Sequence, residues 1–402
     1  VGIPPMSGEE AAAHATLAMR KLGVDVSKLA TMDQVLGRVY ALSRDQLGCR
    51  FLQRQLEEGP SEAVDAIFAE VVDHIVELMT DPFGNYLCQK LLDHCRPEQR
   101  AAIVHRVAPH LIDVSLNIHG TRAAQKLVER LGPECGPTLP EVHAVCRALS
   151  GGVVRLIQDL NGNHVVQRCL QRLPPEHNQF IYDAVARCCV AVASHRHGCC
   201  VFQRCVDFAS PQQKHQVVME VVDKTIELVQ DPFGNYVVQY VLEQAPAYRL
   251  NIVNIIALSI VELSRHKFSS NVVEKCLELA SAEGQAIMVA QLAQRDQILQ
   301  LLQDPYANYV VQRALQVAVS PQLEMLVEAV RPHLPLLRNT SYGRRIQTRI
   351  LKRCPGGIDN MPSAEEAIAR HQAQQQMAMA AGAGAGMMPK MSHMSGLVGQ
   401  MA

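Results

Sequence analysis

A nine-residue frame that returns about every 36 residues constrains this chain more than any other feature. Asp231-Pro-Phe-Gly-Asn-Tyr-Val-Val-Gln239 is nearly repeated as Asp81-Pro-Phe-Gly-Asn-Tyr-Leu-Cys-Gln89 and closely as Asp304-Pro-Tyr-Ala-Asn-Tyr-Val-Val-Gln312. Looser copies stand at Gly48-Cys-Arg-Phe-Leu-Gln53, Gly120-Thr-Arg-Ala-Ala-Gln125, Gly162-Asn-His-Val-Val-Gln167, Gly198-Cys-Cys-Val-Phe-Gln203 and Ser269-Ser-Asn-Val-Val-Glu274. A degenerate ninth copy follows at Gly343-Arg-Arg-Ile-Gln-Thr348. Measured from the residue after the Gly position, the spacings are 36, 36, 42, 36, 36, 35, 38 and 36. A period in this range signals stacked units that bury their apolar faces only against their neighbours. The one large surplus falls at Leu131–Pro140, where Gly and Pro crowd together, and predicts a surface loop.

The units are helical. Val71-Val-Asp-His-Ile-Val-Glu-Leu-Met79 and Val221-Val-Asp-Lys-Thr-Ile-Glu-Leu-Val229 align without a gap, and their apolar spacing buries one stripe of a helix. Asp-Pro at the head of three frames fits a helix start, where Asp caps and Pro is tolerated. Strand-period alternation is absent, so the predicted fold class is all-α, a helical-repeat solenoid over residues 9–352. Glu9 to Val39 supplies an N-terminal cap with a polar outer face, after a leader at 1–8 without structure. Beyond Arg353 the chain turns to low complexity, typified by Gln374 to Met388, and 353–402 is predicted to be a disordered tail. Within it, Ala364 to Met379 is expected to form only a transient helix with no core to bury.

Composition excludes several classes. No apolar run reaches the roughly 18 residues of a membrane span. Val1-Gly-Ile-Pro-Pro5 lacks the basic and apolar regions of a secretory leader, and the missing initiator Met points to a segment of a longer protein. Thirteen cysteines, an odd number spread along helical patterns, predict reduced and buried thiols in a cytosolic or nuclear setting. A net charge of −1 means that any nucleic-acid site must be a local stripe. No phosphate loop or catalytic triad is apparent. His195, His197, Cys199 and Cys200 form the one dense Cys/His cluster, a pattern that zinc or a reactive thiol would use. His119 recurs at the place of His197 without cysteines, so the cluster is a variant of the frame, and no metal, cofactor or catalytic residue is predicted.

On a helix, the residue after the Gly and the Gln or Glu four positions on share a face and reach the same object. These edge pairs are Cys49/Gln53, Asn85/Gln89, Thr121/Gln125, Asn163/Gln167, Cys199/Gln203, Asn235/Gln239, Ser270/Glu274 and Asn308/Gln312. The residue after the first edge position can cover the object's neighbour. It is a ring or guanidinium at Arg50, Tyr86, Arg122, His164, Tyr236 and Tyr309, with Cys200 and Asn271 as exceptions. Two polar groups and a flat stacker per unit suit one single-stranded base per repeat, with stacking worth about 1–3 kcal/mol per base. Arg54, Lys90, Lys126, Arg168, Arg204, Lys275 and Arg313 follow the second edge residue, Tyr240 being the exception, and make a basic stripe suited to phosphates. If all seven neutralised phosphates, affinity would fall by up to roughly 10³ between 50 and 200 mM salt. A lone Gln or Arg on a repeat helix is ordinarily a solvated side chain. Eight pairs in register are not, and helix packing gives no reason for Glu274 to accompany Ser270.

Eight such frames with caps at both ends resemble the Pumilio/PUF family of RNA-binding proteins over residues 9 to 352, fungal members most of all. The resemblance implies a right-handed crescent of three-helix repeats whose concave face binds RNA antiparallel, the last repeat on the 5′ base. It implies uracil for the four Asn/Gln pairs, whose amides match alternating acceptors and donor. Guanine is implied for Ser270/Glu274, because a carboxylate accepts from guanine's adjacent donors, and adenine for Cys49/Gln53 and Cys199/Gln203. Thr121/Gln125 departs from the usual adenine pairing, and Cys200 replaces a planar stacker at the fourth base. The implied site is 5′-UGUAUAUA, and family members also accommodate an extra flipped base between UGUA and UA. The resemblance further implies a cytoplasmic, monomeric repressor of mRNAs carrying UGUA in their 3′ untranslated regions, acting through a deadenylase. The rivals are a HEAT- or armadillo-like protein scaffold, which needs no correlated edge pairs, and a nucleolar relative that binds structured RNA.

Overall fold

The computed structural model describes residues 31–354 and 361–384. Every described element is helical. The expected leader at 1–8, most of the expected N-terminal cap, and the tail segments 355–360 and 385–402 lie outside the described residues. The chain divides into two compact units at Ile252 and Val253, inside the helix Arg249–Ala257.

In the first unit each repeat runs from a short helix through a frame helix to a third helix. The second repeat shows the plan: Ile75–Thr80, Gly84–His94 and Pro97–Val107. The frame helices Gln46–Glu58, Gly84–His94, Gly120–Glu129, Gly162–Arg172, Gly198–Phe208 and Gly234–Gln244 pack side by side in chain order. The frame's alternation explains why. Val237, Val238, Val241 and Leu242 are fully buried, and the same register is apolar and buried at Val165, Val166, Cys169 and Leu170. That i, i+1, i+4, i+5 stripe meets the neighbouring helices and leaves the remaining faces for polar groups.

The head of the frame is built from one capping device. Oδ1 of Asp231 accepts from the N–H groups of Phe233 and Gly234 at 2.8 and 2.7 Å, and Asp81 does the same for Phe83 and Gly84 at 2.9 and 2.8 Å. Asp45, Asn117, Asp159 and Asp304 occupy the same place, while His195 accepts through Nδ1 from the N–H of His197 at 3.2 Å. The residue that stood out as a member of a Cys/His cluster is therefore engaged in turning the chain. The glycine has an equally local cause. A Cβ on Gly234 would stand 2.8 Å from the carbonyl oxygen of Leu228 in the preceding short helix. Where Ser269 replaces glycine, its hydroxyl donates to the equivalent carbonyl of Leu263 at 2.6 Å, so a clash becomes a hydrogen bond.

The expected loop at Leu131–Pro140 is only partly loose. Pro133–Cys135 forms a 3-10 turn and Gly136 takes the left-handed conformation at φ 56°. Arg100, from the preceding repeat, is buried beneath it and bonds Glu141 at 2.8 Å and the carbonyls of Cys135 and Gly136 at 3.1 Å. Six extra residues are thus held by one guanidinium that donates to three different residues.

The second unit continues with frame helices Ser269–Leu279 and Ala307–Val317, and with Ser341–Arg353, the degenerate ninth copy, packed on the latter. Thr340 caps it in the register of Asp231, accepting from Gly343 N–H at 3.0 Å. Within the expected tail at 353–402, a helix covers the Ala364–Met379 stretch expected to be helical only transiently. Ala364–Gly384 is helical, and its first turns pack on Gln322–Val330, where Ala367 is buried and Ala364 N–H donates to Glu328 at 3.1 Å. A low-complexity composition hides one apolar contact and one cap of this kind. Among the described residues, no helix is long and apolar enough to cross a membrane.

Candidate nucleic-acid interface

The frame helices give all eight edge pairs and their neighbours one repeated exposure pattern. The first edge residue is buried in every frame and the next residue is exposed. In four frames the second edge residue donates to the side-chain carbonyl of an Asn. Tyr86 and Tyr236 are each 57% exposed, and Tyr309 47%. Rings this open on a helix present apolar faces to water, whereas Arg50, Arg122, His164, Cys200 and Asn271 are exposed at the same position with different chemistry.

The four Asn/Gln pairs are prearranged. Nδ2 of Asn235 donates to the carbonyls of Asp231 and Pro232 at 2.9 and 3.0 Å, which fixes the amide and turns Oδ1 toward Gln239. Nε2 of Gln239 donates to that Oδ1 at 3.0 Å. Asn85/Gln89, Asn163/Gln167 and Asn308/Gln312 repeat the contact at 3.0, 2.8 and 3.0 Å. The pair therefore presents an acceptor beside a donor, with one lone pair and one N–H still open.

The sulfur and hydroxyl frames differ. Cys49 donates its S–H to the carbonyl of Phe83 at 3.1 Å, and burial pushes its thiol up to about 11, so it stays protonated. Burial likewise lifts Cys199 to about 12. Thr121 follows Cys49: its hydroxyl donates to the carbonyl of Asn161 at 3.0 Å, one residue before Gly162 as Phe83 precedes Gly84. Gln125 then donates to the Thr121 oxygen at 3.1 Å, as Gln53 does to the Cys49 sulfur at 3.2 Å. Geometry thus groups Thr121/Gln125 with Cys49/Gln53, whereas Cys199 turns its S–H back to the carbonyl of Arg196 at 3.5 Å.

Glu274 has no such partner in Ser270, whose hydroxyl turns back to the carbonyl of Lys267 at 3.4 Å. Burial raises its carboxyl above the usual value, opposed by the guanidinium of Arg313, whose Nε lies 3.7 Å away, and by Arg349. A cavity of about 360 Å³ between the first two frames is lined by Cys49, Arg50 and Gln53 of the first and by Phe83 and Tyr86 of the second.

The basic stripe is not free charge. Lys90 pairs with Glu57, Lys126 with Asp93 at 3.4 Å and Glu129 at 3.2 Å, and Arg168 with Glu129 at 3.3 Å. Arg204 pairs with Asp207 at 2.7 Å, Lys275 with Glu278 at 3.9 Å and Arg313 with Glu274. Tyr240 takes the same role by donating to Asp207. Of the seven cations, only Arg54 has no carboxylate at ion-pairing distance among the described residues. The stripe therefore acts as a ladder of ion pairs and is a weaker phosphate surface than seven bare cations. The sequence signal was present for the pairs within one helix, where an acid follows the base by three residues at Lys126/Glu129, Arg204/Asp207 and Lys275/Glu278.

Fold and face together define a helical-repeat protein whose frames carry polar edge pairs beside exposed side chains in one register. Residues 30–297 match the NOP9-like PUF repeat domain, and residues 297–331 match the Pumilio-family RNA binding repeat. The chain is 46% identical over 330 residues to the putative pumilio homolog 7 of Arabidopsis thaliana, covering 80% of this chain and 49% of that protein. It is 50% identical over 327 residues to the Pumilio homology domain family member 4 of Saccharomyces cerevisiae, covering 79% of this chain and 36% of the other. Among solved structures, the Puf4 RNA binding domain bound to an HO endonuclease RNA 3′ UTR recognition sequence is 44% identical. Its TM-score is 0.70, with 78% of this chain and 99% of that one covered. The RNA-binding domain of yeast Puf5p bound to SMX2 RNA is 26% identical with a TM-score of 0.73, covering 84% and 100%. The chain belongs to the Pumilio/PUF family of RNA-binding repeat proteins, and its fold is that family's helical-repeat solenoid, not a HEAT or armadillo scaffold. It spans about half the length of the first curated relatives it matches.

Proposed function

We propose that this chain binds single-stranded mRNA in 3′ untranslated regions, one base per frame, at 5′-UGUAUAUA, and thereby represses or destabilises the transcript through a recruited deadenylase. The observation that carries the binding is the correlated pair Ser270/Glu274, set in an array whose Asn/Gln pairs are hydrogen-bonded into an acceptor beside a donor. Asn Oδ1 accepts from uracil N3–H and Gln Nε2 donates to a uracil carbonyl, while Glu274 accepts from guanine N1–H and N2–H. The Thr121 geometry, shared with Cys49/Gln53, supports adenine at the sixth base as at the eighth, while adenine at the fourth rests on the resemblance of Cys199/Gln203. The 3′ untranslated target rests on the Puf4 likeness; repression in the cytoplasm, by a monomer, rests on the family resemblance. The ion-paired ladder lowers the expected salt dependence below the seven-phosphate bound, because each carboxylate must be displaced first.

The NOP9-like match over residues 30–297 favours a second reading, a nucleolar relative that binds structured RNA. Selection from a random RNA pool separates the two. The first reading expects a UGUA core from the wild type, and uracil in place of guanine at the second base from Ser270→Asn/Glu274→Gln, with the remaining bases unchanged. Enrichment of structured RNA without a UGU core would sink it.

A further inference from the structure

The ninth copy of the frame carries a different kind of surface. Ser341–Arg353 holds five cations, Arg344, Arg345, Arg349, Lys352 and Arg353, and no acid in 13 residues. It lines a cavity of about 530 Å³ through Ser341, Arg344, Arg345, Thr348, Arg349 and Lys352, with Gln312 of the eighth frame on the opposite wall. Elsewhere the cations that follow the edge pairs, Arg54 excepted, are matched by carboxylates. Here, among the described residues, Arg344, Arg345 and Lys352 have no carboxylate at ion-pairing distance, and Arg349 is held by neutral Gln312 and Gln316 at 3.4 and 2.9 Å.

Register says what this surface is for. Arg345 stands at the stacker position, so it closes the slot of the base read by Asn308/Gln312, as Tyr86 closes the slot at Cys49/Gln53. Arg344 and Thr348 stand at the edge positions, but Thr348 spends its hydroxyl on the carbonyl of Arg344 at 2.8 Å, and the Arg344 side chain accepts nothing. The frame does not recur after Thr348, so an upstream base would find no second wall. What remains is a surplus of guanidinium and ammonium donors without a base-reading pair.

We infer that this cavity holds the phosphodiester 5′ to the first read base, extending the RNA path upstream by phosphate contacts that ignore base identity. The inference rests on the RNA-binding reading above. Its test compares the octamer 5′-UGUAUAUA carrying a 5′-hydroxyl, the same octamer with a 5′-phosphate, and octamers extended upstream by two abasic or two ordinary nucleotides of varied sequence. The phosphate or any extension should tighten binding about tenfold near 100 mM salt and steepen the salt slope by about 0.7 per phosphate. Arg344→Gln/Lys352→Gln should erase that gain and leave the affinity for the 5′-hydroxyl octamer unchanged. Equal affinity for the hydroxyl and phosphate octamers would overturn the inference, as would a gain that depends on the upstream base. If the hydroxyl octamer itself fails to bind, the octamer reading fails instead, and the same comparison is made on the 5′ end of whatever core the pool enriches.

Discussion

Two frames of one design, Asn235/Gln239 and Ser270/Glu274, show how a repeat protein varies its chemistry without varying its backbone. In the first, Asp231 caps, glycine fits under the Leu228 carbonyl, and the amide pair is locked by three hydrogen bonds before any ligand arrives. In the second, His266 stands in for the cap with its Nδ1 3.5 Å from the Ser269 N–H, and serine replaces glycine. Its Glu274 carboxylate is paired with an arginine of the next frame instead of with its own edge partner. The first frame is self-contained; the second borrows its order from a neighbour. On the proposed reading, specificity is a local property in one case and a shared one in the other.

The largest effect should come from exchanging an edge pair in the direction opposite to the pool experiment. Asn85/Gln89 is locked by the same three bonds as Asn235/Gln239. Asn85→Ser/Gln89→Glu should turn the seventh base from uracil to guanine, with each correct edge match worth about 1–3 kcal/mol, or roughly 5- to 150-fold in preference. Competition binding with 5′-UGUAUAUA and 5′-UGUAUAGA measures it. The comparison also predicts an imperfect exchange. In the following frame Lys126 holds the place of Arg313, lacks its planar fork and is already paired with Asp93 and Glu129. A complete switch, equal to the natural guanine frame, would show that the borrowed arginine contributes nothing.

The next effect is on folding. Gly234→Ala drives a Cβ to 2.8 Å from a backbone carbonyl that cannot step aside, a cost of about 1–3 kcal/mol. Ser269→Ala keeps a Cβ already accommodated and loses only the 2.6 Å bond to Leu263, about 1 kcal/mol. Urea unfolding of the two variants should rank them in that order. The reverse ranking would mean that the short helix before Gly234 gives way more easily than the one before Ser269.

Much of this was legible in the sequence because the frame is periodic. A period near 36 marked the repeats, the apolar stripe marked the helices, and the i, i+4 pairs marked the face. Contacts between repeats were less legible. The pairing of Lys90 with Glu57 spans 33 residues, and only a helix stack brings such positions together, so a stripe of bases looked unopposed. The buried Arg100–Glu141 bond was hidden for the same reason, and the insertion it holds read as a loop. The helix over Ala364–Met379 was legible only as a transient one, because one buried alanine and one capping bond leave no periodic trace in a Gln/Met/Ala run.

The smallest effect sharpens the comparison most directly, because only one of the two edge pairs titrates. Burial holds the Glu274 carboxyl above its usual value, and Arg313 pulls it back only in part. Guanine binding needs the ionised form, so affinity should fall as pH drops through that raised value, by up to about tenfold per pH unit below it. Stability runs the other way: a carboxyl raised in the folded state costs stability when ionised, and that cost fades as pH falls. The two trends separate ligand chemistry from unfolding. Arg313→Gln removes the opposing charge and should move the loss of affinity to higher pH, whereas Ser270→Asn/Glu274→Gln on its uracil-substituted RNA should show no such loss. Identical pH profiles for the wild type and the double variant would mean that Glu274 is not the group accepting from the second base.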